Sequence, residues 1–212
     1  MKQYNIAESY LRLRQTLGVL GILLPWADLL CGVVFGQGNP YHWNDSISST
    51  YYANSGIVFT GVMTAVGLFL ITYRGYDLGD RITCTISGFF GLALAVFPDD
   101  CPEGRLWNLF MLHKEVTNTV HDISALIFFL SLIYMIVFRF TKGDTSDPKK
   151  ARRNVIYRVC GSAMALSFLA FIVCTALRIA PWNMLFYSEA IALFFFGTAW
   201  LVKGETFKKL GL

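Results

Sequence analysis

Along this chain, apolar residues gather into six runs, 15–35, 55–73, 82–97, 116–138, 155–177 and 184–202, separated by short polar or charged stretches. A bilayer core about 30 Å thick is crossed by about 20 apolar residues in helical form. The pattern therefore predicts an all-α polytopic membrane protein, a bundle of six transmembrane helices forming one domain over residues 1–212. The third run is the shortest and is interrupted by Ser87, Gly88 and Gly91, small residues that let helix backbones approach closely in lipid. The first run holds Pro25 and Asp28 and exceeds the apolar core of a signal peptide, so it is expected to remain a helix.

Composition agrees with that pattern. Hydrophobic residues make up 55% of the chain and charged ones only 15%, against about 25% charged in a soluble domain. Fifteen of the 18 lysines and arginines fall in 1–14, 74–81, 139–158 and 203–212, and only Arg105, Lys114 and Arg178 lie elsewhere. Positive segments stay in the cytoplasm. Both termini are thus expected inside, in a multi-pass protein of the cell membrane. The net charge of +4 follows from this asymmetry and does not call for a nucleic-acid partner. The stretch KGDTSDPKKARRN (142–154) reads as a solvated loop near anionic headgroups.

The candidate chemistry lies toward the opposite face. At 1.5 Å per residue, Asp28 is about 21 Å from Arg14, Glu189 about 21 Å from Lys203 and His121 about 27 Å from Arg139, which places all three in the outer third of the core. An acid at mid-depth costs about 3 kcal/mol, so Asp28, Asp122 and Glu189 are expected to be paired, protonated or wetted. On the fourth helix Lys114, Glu115, Asn118, His121 and Asp122 form a polar stripe. His121 with Asp122 or Glu189 is the candidate acid/base set, because imidazole titrates near neutral pH and a carboxylate fixes its tautomer.

The first outer connection carries Ser46, Ser48, Tyr51 and Tyr52, which with Asn118 and Asp28 are candidate ligand-binding residues. His42 and His113 complete the three histidines, but His113 points nearly opposite to Asp122 on a helix, so no metal or other cofactor is expected. Five cysteines show no CxxC pair, and a bridge from Cys101 to Cys31 or Cys174 is left open.

The chain resembles a family of bacterial six-helix membrane proteins without an assigned reaction. The resemblance rests on SISSTYYANSGIVFTG (46–61), LFLITYRGYD (68–77), AVFP (95–98), His121 at the start of the fourth helix, and SEAIALFFFGTAWLVKGE (188–205). It implies the six-helix fold and no activity. A more distant similarity is to the ceramidase and adiponectin-receptor-like membrane hydrolases, in which a serine, an aspartate and three histidines surround zinc. Ser46 or Ser48, Asp122 and His121 would fill such roles, although the paired HxxxH is absent here.

The leading expectation is a protein that binds a lipid or small amphiphile in a polar cavity open to the outer face, and senses or hydrolyses it. As an enzyme it would be a membrane-embedded hydrolase. The alternatives are a proton-coupled transporter or ion-conducting oligomer using the three acids, and a membrane scaffold or partner subunit. Membrane lipids are the expected partners, and an oligomer is allowed.

Overall fold

The computed structural model of the chain describes residues 6–34, 45–52, 55–99 and 113–208. Six α-helices account for most of them: α1 (Ile6–Val34), α2 (Gly56–Thr72), α3 (Leu78–Val96), α4 (Lys114–Tyr134), α5 (Pro148–Ala176) and α6 (Met184–Lys203). No strand occurs among the described residues. Four helices are long and apolar enough to cross a membrane: α1, α4 with its continuation to Arg139, α5 and α6. The apolar α2 is shorter.

Consecutive helices pack on one another and α1 closes against α6, so the six form a ring. The core fills its centre. Trp200 is fully buried there, with Phe69, Tyr73 and Phe140 edge-on to its ring at 5.9, 5.1 and 5.1 Å. The outward faces are also apolar: Leu23, Leu30, Phe89, Leu166 and Ile172 are all exposed. A soluble bundle would turn polar residues outward at such positions, and exposed apolar side chains on these helices suit a membrane protein.

Two reciprocal glycine contacts set the closest helix pairs. A Cβ on Gly197 would stand 2.3 Å from the Gly18 carbonyl oxygen, and one on Gly88 would stand 2.5 Å from that of Gly67. The small residues of the third run therefore serve close packing, Gly88 against α2 and Ser87 and Gly91 toward Ser131 and Phe128 of α4.

Helix ends differ from the apolar runs. α1 and α5 both start well before their runs, because charged residues that cannot enter hydrocarbon still form helix in the interfacial zone. Asp147 caps α5 by accepting the Lys149 N–H at 2.9 Å, with Pro148 at the first helical position. The basic stretch expected as a loop over 142–154 is thus helical from Pro148 onward. α4 passes into a π-helical turn, Met135–Arg139, in which the Phe140 N–H bonds the Met135 carbonyl at 2.9 Å. The extra residue rotates the chain end and aims Arg139 at the α2–α3 connection.

Candidate functional site

The two ends of the ring carry different chemistry. At one end the segment 45–52, which ends in a 3₁₀ turn (Ser48–Tyr52), sits over the helices. Two buried carboxylates hold it. Glu189 Oε2 accepts the Ile47 N–H at 2.7 Å, and Asp28 Oδ2 accepts the Thr50 hydroxyl at 2.6 Å. The Phe186 N–H bonds the Asp45 carbonyl at 3.1 Å, giving α6 a second tie to the segment. Ser46 and Ser48 are buried with their hydroxyls 3.1 Å apart, and Tyr51 stacks edge-on with half-buried Tyr52.

His121 is buried on α4 with Nδ1 2.7 Å from the Phe97 carbonyl oxygen. A carbonyl only accepts, so Nδ1 donates this bond and Nε2 is the ring's remaining nitrogen. Ser48, His121 and Glu189 line one cavity of about 30 Å³, whose other walls are apolar. It has space for about two water molecules. Asp28 is fully buried beside Thr50 and outside this lining. Asp122 is exposed, because one residue along a helix turns the side chain about 100° away from His121. Asn118 is half-buried, with Oδ1 lacking a hydrogen-bond partner among the described residues. The geometry thus joins His121 with Glu189 and Ser48, and sets Asp122 apart.

Among the described residues no group of histidine, cysteine or acid side chains is arranged to hold a metal ion. Cys31, Cys84, Cys160 and Cys174 are free thiols. Cys101 and His42 lie outside the described residues, so the bridge considered for Cys101 falls outside them too.

A much larger cavity opens at the other end, where α1, α3, α5, α6 and the turn after α4 meet. Its volume is about 450 Å³, within the roughly 300–1,000 Å³ of small-molecule sites. Six cations line it, Arg14, Arg139, Lys142, Lys150, Arg153 and Lys203, against three acids, Asp77, Asp80 and Glu205. Some of these charges are already matched. Arg139 Nε donates to Asp80 Oδ1 at 2.8 Å, and its other arm and Lys142 both bond Asp77. Lys142, then the Asp80 N–H that Asp77 caps, then Arg139 hold the Asp77 carboxyl well below the usual carboxylate range.

Arg14, Lys150 and Lys203 have no carboxylate partner among the described residues. Arg14 is 7% exposed, spread over the rings of Tyr10 and Tyr73 at 4.6 and 5.5 Å, and donates to the Lys203 carbonyl at 3.3 Å. Lys150 donates to the Phe140 carbonyl at 2.8 Å. Lys203 lies over Tyr76 and Phe140 at 4.8 and 4.9 Å.

The sequence reading passed over this end because it used lysines and arginines as markers of orientation. The signal was present: each basic segment stops at the edge of an apolar run, so a closed bundle has to bring those edges together. No family model, no curated protein and no solved structure matches this chain.

Proposed function

We propose that this protein is a six-span integral membrane protein, with both termini on the cytoplasmic side, that binds a small anionic amphiphile at its basic end. The observation that carries the reading is the 450 Å³ cavity with six cations and three acids on its walls. Basic pockets between helices on the cytoplasmic side are suited to anionic lipid headgroups. Beneath the segment 45–52, beside His121, the cavity measures about 30 Å³. A further cavity of about 370 Å³ at that end, between α5 and α6, has no charged residue in its lining, so among the described residues an anionic headgroup meets matching charge at the basic end.

The ring supports the six-span reading: α2 and α3 lie between α1 and α4 and run between the same two ends as the four longer helices. At about 1.5 Å per residue the 17-residue α2 reaches about 25 Å, and local thinning of the bilayer accommodates the difference. The distribution of lysine and arginine supports a cytoplasmic position for the basic end.

The test is lipid exchange in nanodiscs. Protein reconstituted in phosphatidylcholine doped with an anionic lipid should retain the anionic species through detergent extraction, as read by native mass spectrometry. Equal retention of both lipids would remove the reading.

One observation favours a second reading, hydrolysis at the opposite end: Ser48, His121 and Glu189 line one cavity, which brings a hydroxyl, an imidazole and a carboxyl group together. A fluorophosphonate probe should then label the protein and fail to label Ser48→Ala.

A further inference from the structure

We infer that the anion taken by the basic cavity is a phosphate monoester, gripped by Arg14, Lys150 and Lys203. The inference rests on the anionic-ligand reading above and names its chemistry.

Charge comes first. With Arg139 and Lys142 committed to Asp77 and Asp80, the lining retains a formal excess of three positive charges. A phosphate monoester carries about −1.5 to −2 at pH 7, whereas a carboxylate or a phosphodiester carries a single charge and leaves most of the excess unmatched.

Arg14 supplies the second, independent reason. It is more than nine-tenths buried, lines the cavity, and has its Nε without any hydrogen-bond partner among the described residues. A guanidinium does not deprotonate in a protein. Its present neighbours are tyrosine faces and a carbonyl, which orient the group and carry no net charge. A charge held that way is completed by an anion.

Geometry selects among anions. The three groups come from three helices, α1, α5 and α6, and line the one cavity. A tetrahedral group with three acceptor oxygens can meet three such donors at once, and the planar fork of arginine can take two oxygens together. A planar carboxylate offers two oxygens. The opposite wall is fixed by Arg139 between Asp77 and Asp80, which gives the site one rigid side.

The same chemistry is offered by a lipid with a terminal phosphate and by free phosphate, so the experiment has two arms. In one, the full-length protein in neutral detergent is titrated calorimetrically with inorganic phosphate. In the other, nanodiscs of phosphatidylcholine are doped with phosphatidic acid, phosphatidylglycerol or oleate, and the retained species is weighed by native mass spectrometry.

The expected result is saturable binding of one phosphate group per chain, free or as the lipid's terminal monoester, in at least one arm, weakened at least tenfold by Lys150→Gln and by Lys203→Gln. Exposed Lys149→Gln should change it less than twofold, and all three variants should elute as folded protein. Arg14→Lys should keep part of the affinity that Arg14→Gln loses. Binding in the first arm identifies free phosphate as a source, and binding in the second alone identifies the lipid. Equal retention of phosphatidylglycerol or oleate overturns the monoester and leaves the anionic site standing. No anion retained, or retention indifferent to Lys150 and Lys203, overturns both.

Discussion

Glu189 on α6 accepts the backbone N–H of Ile47, 142 residues earlier in the chain, at 2.7 Å. This bond turns an acid that is expensive inside a membrane helix into the anchor of the segment above it. An amide at this position still accepts through its carbonyl oxygen, whereas an aliphatic side chain leaves the buried N–H without a partner, at about 1–3 kcal/mol. Glu189→Gln should therefore stay within about 1 kcal/mol of the parent, and Glu189→Leu should lose about 2 kcal/mol. Thermal unfolding in detergent reads the difference. Equal losses would mean that the bond to Ile47 does not hold the segment.

The glycine pairs make a sharper test of packing. A Cβ at Gly197 meets the Gly18 carbonyl at 2.3 Å, whereas one at Gly61, on the same kind of apolar helix, meets nothing within 4 Å. Gly197→Ala should push α1 from α6 and destabilise the protein by about 1–3 kcal/mol, as overpacking does. Gly61→Ala should stabilise it by about 0.5–1 kcal/mol through the helical preference of alanine. Unfolding of the two variants under one detergent condition gives the comparison, and a shared direction of change would contradict the ring geometry.

Acid should loosen the connection between α2 and α3. Lys142, the Asp80 N–H and Arg139 depress the folded pKa of Asp77 below its ordinary value. A depressed carboxyl contributes stability that is present above its unfolded pKa of about 3.9 and is lost as pH falls through the folded value. The melting temperature should hold from neutral pH to about pH 5 and then decline, with Asp77→Asn showing a shallower decline. An unchanged acid limb in Asp77→Asn would show that the network is not formed.

Orientation is tested by labelling. In a cysteine-free background, a single cysteine at Gly143 should resist an impermeant maleimide applied outside cells, and one at Asn183 should react. The reverse pattern would place the basic cavity on the outer face, where the anionic lipids of the inner leaflet cannot reach it.

Much of this architecture was legible because lipid imposes a simple rule on sequence: apolar runs of bilayer length become helices, and all six runs did. The ends were less legible. Nothing apolar marks the first turns of α5, where Lys150 and Arg153 lie, and the π turn that redirects Arg139 has no distinct composition. The depth estimate brought His121 and Glu189 to one cavity lining, since rise per residue is fixed by helix geometry. It could not separate Asp122 from His121, because depth says nothing about azimuth. Nor does a single sequence reveal which charges pair across the ring. Asp77 and Asp80 neutralise Arg139 only because α3 begins beside the end of α4, and that neighbour relation leaves Arg14, Lys150 and Lys203 as the uncommitted cations.

The central claim, that these three cations surround an anion, is tested most directly by an electron cryomicroscopy map of the protein in nanodiscs containing phosphatidic acid. The account predicts density for a tetrahedral headgroup within hydrogen-bond reach of Arg14, Lys150 and Lys203, with acyl chains leaving along the outer face of α6. An empty basic cavity, with lipid density instead beneath the segment 45–52 beside His121, would contradict it.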